Sequence, residues 1–105
     1  MEDKVLGLIG LATRAGKVIT GIELCEKAAK SGRAQLVVLT RETSASTCKT
    51  FSKFRIPNIY VESKEMLGRF TGKEYRSVAV ITDKGLAQAV LKKARNVNAS
   101  ENKGS

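Results

Sequence analysis

The sequence predicts an α/β protein, a three-layer α/β/α sandwich around a small mixed, mostly parallel sheet. Two short apolar runs suit strands buried on both faces: LVVLT at 36–40 and SVAVIT at 77–82. Stretches of helical periodicity alternate with them along the chain. The length, 105 residues, suits one domain with one sheet. Alternation of strands with helices covers such a sheet on both sides.

The first helix is predicted over residues 3–14, with Val5, Leu8, Ile9 and Ala12 at helical spacing and Gly16 as its stop. Lys17 to Thr20 is short and rich in β-branched residues, a strand fragment. The next helix is predicted from Thr20 to Ser31. Thr20 and Glu23 have capping-box spacing, and Ile22, Cys25, Ala28 and Ala29 form an apolar stripe. Gly32 ends it. After the strand at 36–40, Ser44 or Ser46 caps a helix to about Phe54. Its exposed side is basic through Lys49, Lys53 and Arg55, and Pro57 breaks it. NIYV at 58–61 is a strand, and Ser63 caps a short helix to about Phe70. Thr71 to Arg76 reads as a polar turn. Thr82 or Asp83 caps the last helix, to about Val97. Residues 1–97 form one domain, and residues 98–105 are expected to be a disordered tail.

Composition narrows the function classes. Lys and Arg total 19 against 10 acids, a formal charge of +9. So strong a field on so small a chain favours a polyanion, bound through phosphate contacts and counterion release. Nucleic acid comes first, an anionic membrane surface second, and plain solubility is the alternative. No apolar run is long enough to span a bilayer, and no signal peptide is read at Met-Glu-Asp. There is no histidine, so the usual general base at neutral pH is missing. Two cysteines, Cys25 and Cys48, stand far apart and cannot make a zinc site without further ligands. No metal and no cofactor is expected. Reduced thiols point to the cytoplasm.

Three segments are candidate binding elements. The first is ATRAGKVITGIE, with Lys17, Thr20, Gly21 and Glu23, followed by Lys27. Amides at a helix start favour a phosphate, and a glycine there lets a backbone come close. Lys27 can take a phosphate or pair with Glu23 one turn earlier. The bland reading of this segment is a helix stop, a capping box and a solvated lysine. The second is Arg41-Glu42, directly after a buried strand. Arg41 suits a phosphate or a base edge. Glu42 can accept from a base or pair with Arg41. The third is Thr82-Asp83-Lys84-Gly85, a small polar strand-to-helix turn that is not a Walker sequence. In open α/β sheets, ligands gather where strands end at their C-terminal side. That rule would put Arg41-Glu42 and Thr82 to Gly85 on one edge, with Gly21 beside them.

The aromatics form no paired stacking platform. Phe51 and Phe54, at helical spacing, are expected in the core. Catalysis has little support: Cys25 lies in an apolar stripe, and Cys48 has no identifiable base beside it.

Together GLATRAGKVITGIE, SGRAQLVVLTRETSAST and AVITDKG resemble the ribosomal protein L7Ae/L30e family, and within it the bacterial YlxQ-type RNA-binding branch. The resemblance covers about residues 3–95. It implies an α/β/α sandwich that binds structured RNA through loops at one edge. The family's best-known ligand is the kink-turn, a bent helix–bulge–helix with tandem G·A pairs. Kink-turn binders carry a glycine at a helix start, then an Asn-Glu pair, then a lysine. Gly21 and Lys27 match the glycine and the lysine. Ile22 stands where a small polar residue is usual, Glu23 takes the Asn position, and Leu24 takes the Glu position. Thr82 to Gly85 is matched to the loop before the last helix, usually apolar in kink-turn binders and here polar. The expectation is therefore a monomeric, non-enzymatic binder of structured RNA. Ribosomal RNA is the first candidate and ribosomal proteins are further partners. The alternative is a protein-interaction or assembly adaptor without specific kink-turn recognition.

Overall fold

The computed structural model describes residues 2–103, and the side chains of residues 3–95. Its elements are α1 (Glu2–Arg14), β1 (Val18–Thr20), α2 (Ile22–Lys30), β2 (Leu36–Thr40) and α3 (Ala45–Ser52). They continue with β3 (Asn58–Val61), α4 (Lys64–Phe70), β4 (Val78–Ile81) and α5 (Lys84–Lys103). Three helix starts, those of α3, α4 and α5, follow the local chemistry read from sequence. Ser44 Oγ accepts from the Thr47 amide (3.3 Å), Ser63 Oγ from the Met66 amide (3.1 Å) and Asp83 Oδ2 from the Leu86 amide (2.8 Å). α1 ends where expected: Gly16 N donates to Thr13 O (3.0 Å) and Lys17 N to Ala12 O (2.9 Å).

The three layers form as expected, and each face of the sheet has its own core. On one side Leu6 and Ile9 of α1, Leu67 of α4 and Val90 of α5 close over Leu36, Val38, Ala79 and Ile81. On the other, Cys25 and Ala28 of α2 and Phe51 of α3 cover Val37, Leu39, Val78 and Val80. β2 and β4 are buried at every position, which is why their sequences run apolar without alternation. Small residues dominate the α2 contact, so this helix sits close to the sheet. Phe51 is fully buried and Phe54 packs beside it, ring centroids 6.5 Å apart.

The strand order is β1-β4-β2-β3. The sheet is mixed, but the mostly parallel expectation needs correction. β2 and β3 are parallel, whereas β4 runs antiparallel to both β2 and β1. The reason lies in the β3–β4 connection. α4 is only seven residues long, and the chain then doubles back along it. Lys73 N donates to Gly68 O (2.8 Å) and Arg76 N to Lys64 O (3.0 Å). This return brings β4 in from the edge where β3 left. Gly68 makes it possible: a Cβ there would lie 2.8 Å from Tyr75 N and against the Glu74 carbonyl.

Two local expectations also change. Thr20 and Glu23 form no capping box. Thr20 belongs to β1, Gly21 is the residue before α2, and no side chain caps that helix. α5 continues beyond the expected end near Val97 to Lys103. Asn98 to Lys103 contains no glycine or proline to stop it. The tail expected from residue 98 therefore falls on helix as far as Lys103, and Gly104 and Ser105 lie outside the described residues.

Candidate nucleic-acid interface

Strand direction decides which loops meet. β1, β2 and β3 end at the edge where β4 begins. This edge gathers Thr20-Gly21 with the start of α2, Arg41-Glu42, Glu62 to Lys64, and the return loop Thr71 to Ser77. Hydrogen bonds tie them together. Gly21 N donates to Val78 O (3.3 Å), and Arg76 Nε to Thr20 Oγ1 (3.2 Å). The Ser77 carbonyl takes the Thr40 amide (3.2 Å) and the Thr43 hydroxyl (2.8 Å).

The other predicted residues do not join this edge. Lys17, Thr82, Asp83, Lys84 and Gly85 sit at the opposite end of the sheet, because β4 runs away from Gly21. There Thr82 N and Oγ1 both donate to Lys17 O, at 2.9 and 3.3 Å. Asp83 is occupied as the cap of α5. The single-edge expectation for Arg41 and Thr82 to Gly85 is thus corrected. It assumed a parallel β4.

Gly21 has φ 95° and ψ 141°, in a region that disfavours side chains. No atom lies within 4 Å of where its Cβ would be, so the turn presents bare backbone to the outside. The first amides of α2 have no side-chain partner at the cap. Ile22 and Leu24 stand out beside Gly21, 44% and 60% exposed, and Ile22 leaves the buried stripe predicted for it. Glu23 is exposed on the same first turn. Lys27 is exposed, about 9 Å further along the helix at 1.5 Å per residue. Among the described residues, the i,i+4 pair on α2 is Glu26–Lys30 (3.5 Å), and Glu23 and Lys27 form none.

Arg41 and Glu42 take separate partners. Arg41 Nε meets Glu62 Oε1 at 3.1 Å, both side chains well exposed. Glu42 Oε1 accepts the Lys64 amide at 2.8 Å, capping α4 from outside. A surface pair of this kind contributes roughly 0–1 kcal/mol, so Arg41 is easily redirected to a ligand. Glu42 is anchored by its α4 contact.

The sequence reading missed the return loop. Lys73 and Tyr75 are exposed, Tyr75 at 58%, and Arg76 reaches across to Thr20. TGKEYRS reads locally as a polar turn. Its role emerges only once β4 is seen to start beside Gly21.

The Cys25 thiol is tied into the core. Burial pushes the Cys25 thiol up to about 12, opposed by a hydrogen bond with the Val80 backbone. The thiol donates to Ile19 O at 3.2 Å. Among the described residues, no cluster of His, Cys, Asp and Glu has the make-up of a metal site. None of the helices in the same range is long and apolar enough to cross a membrane.

Known proteins share this architecture. An RNA-binding protein named YlxQ from Bacillus subtilis (strain 168) is 41% identical over 88 residues, 80% of this chain and 88% of the relative. A YlxQ protein from Enterococcus faecium is 35% identical over 91 residues, covering 83% and 87%. A solved Bacillus halodurans C protein of unknown function superposes with a TM-score of 0.80 at 34% identity, over 85% of this chain and 94% of that one. The Giardia lamblia 15.5kD RNA binding protein superposes with a TM-score of 0.75 at 18% identity, covering 90% and 88%, a likeness of fold. Residues 3–91 match the ribosomal protein L7Ae/L30e/S12e/Gadd45 family over most of the domain, and with these relatives they make the chain a member of that family.

Proposed function

We propose that this protein binds structured RNA, without catalysing a reaction, through the edge centred on Gly21. The observation that carries the reading is the open turn at Gly21 with Arg76 locked beside it on Thr20. Bare backbone and helix-start amides accept a phosphate, Arg76 stands beside them on Thr20, and Arg41 and Lys73 add positive charge along the same edge. The net charge of +9 supports the same partner, as do the RNA-binding relatives. Thr20, Gly21, Glu23, Lys27 and Arg41 stay in the proposed site, and the Tyr75-Arg76 loop joins them. Lys17 and Thr82 to Gly85 are left to structural work and to the long-range field.

The RNA is proposed to be ribosomal or translation-associated, met in the cytoplasm by a monomer. Recognition by shape fits better than the standard kink-turn contacts. Leu24 stands at the position of the family's glutamate and offers no hydrogen bond to a base edge. A good base contact is worth about 1–3 kcal/mol of discrimination.

Titrations of ribosomal fragments, a kink-turn RNA and a single strand at several salt concentrations test this. Arg76→Ala with Arg41→Ala is expected to weaken the preferred RNA about tenfold. It should also lower the slope of log affinity against log salt by about 1–2. Equal, weak binding of every RNA, untouched by these substitutions, would overturn the site.

A second reading rests on Ile22, Leu24 and Tyr75, large apolar side chains left exposed on this edge. It is an assembly adaptor that meets a ribosomal protein there. A partner retained after nuclease digestion would favour it over RNA.

A further inference from the structure

β3 is the outer strand of the sheet, paired with β2 alone among the described residues. Val37 N donates to Pro57 O and Arg41 N to Val61 O, both at 2.9 Å. Odd-numbered residues of this strand therefore turn their main chain toward β2. The N–H and C=O groups of Asn58 and Tyr60 point outward, where a further strand would lie. Alongside runs a groove of about 460 Å³ between β3 and α5. Ile59, Leu91 and Ala94 give it an apolar lining, Arg95 adds a cation, and Arg41, paired with Glu62 at 3.1 Å, borders it as a second. Asn58 lines it too. Tyr60 is 49% exposed on this edge.

We propose that the β3 edge docks an extended, acidic peptide segment of another protein, which adds a fifth strand to the sheet. Main-chain groups of Asn58 and Tyr60 pair with the segment. Apolar side chains at alternate positions enter the groove, and carboxylates meet Arg95 and Arg41. The charge favours an acidic partner over a second copy of this basic chain. The edge offers main-chain donors and acceptors at strand spacing, which match a peptide rather than RNA. The groove lies along β3, at the opposite side of the sheet from β1 and the Gly21 turn, with Arg41 at its border.

A fluorescent peptide alternating valine with glutamate is the probe, followed by anisotropy with the full chain. The expected results are saturable binding, slowed hydrogen exchange at the Tyr60 amide, and about tenfold weaker binding by Arg95→Glu. Tyr60→Pro removes the outward N–H and is expected to abolish binding. Ala94→Arg fills the groove and gives the same answer should Tyr60→Pro not fold. RNA affinity of Arg95→Glu and Ala94→Arg should stay within about threefold of the parent, since screening weakens charges beyond about a Debye length. Equal binding of a valine–lysine peptide, or no change in either groove variant, would overturn the proposal. So would light scattering that shows a dimer the peptide does not compete with.

Discussion

The two ends of the sheet use similar residues differently. At each end a glycine-containing turn leads into a helix, with lysine or arginine nearby. At the far end the polar groups satisfy one another. Thr82 binds Lys17 O, and Asp83 caps α5. At the near end the turn at Gly21 has neither a side-chain cap nor a neighbour over it. The difference teaches that a polar turn can offer itself to a ligand only where its hydrogen-bonding groups are left over. Sequence composition ranks these two turns alike.

The contrast can be broken most severely at Gly68, which lets the return loop reach the Gly21 edge. Gly68→Val drives a side chain into the Glu74–Tyr75 main chain, which cannot move aside as a flexible side chain would. Overpacking of this kind typically costs about 1–3 kcal/mol, and the upper end is expected here. Urea unfolding reads the loss, and RNA binding should fall with it. A variant as stable as the parent would contradict the tight return.

Gly21→Ala is a smaller and more selective test. At φ 95° and ψ 141° a Cβ costs about 1–3 kcal/mol, and the added methyl group stands on the proposed contact surface. Thermal unfolding should show the modest loss, while RNA affinity drops more than stability alone accounts for at temperatures where the variant is folded. Unchanged affinity would remove Gly21 from the site.

Asp83→Ala sharpens the comparison from the other end. Losing the α5 cap is expected to lower stability by about 1 kcal/mol. RNA affinity should stay within about twofold, since the removed charge is remote and negative. A larger change would return the Thr82–Gly85 turn to the interface.

Much of the molecule was legible because it is local. The caps at Ser44, Ser63 and Asp83 are bonds between a side chain and an amide three residues on, and the residue types announce them. LVVLT and VAVI announce strands covered on both faces. Thr20 shows how a local pattern fails. Its spacing to Glu23 suits a capping box, but pairing of β1 with β4 holds Thr20 in a strand, and Arg76 takes its hydroxyl. Lys73, Tyr75 and Arg76 were illegible as neighbours of this edge, because Arg76 lies 56 positions from the threonine it meets.

By itself the sequence determined the element types, the two apolar faces of the sheet, the caps of α3, α4 and α5 and the basic charge. Each depends on residue chemistry and on neighbours within a turn or two. Only the tertiary structure decided the direction of β4, and with it the loops that share an edge with Gly21. That direction follows from long-range pairing and from the doubling back of the chain over Gly68, where a missing side chain admits a distant main chain.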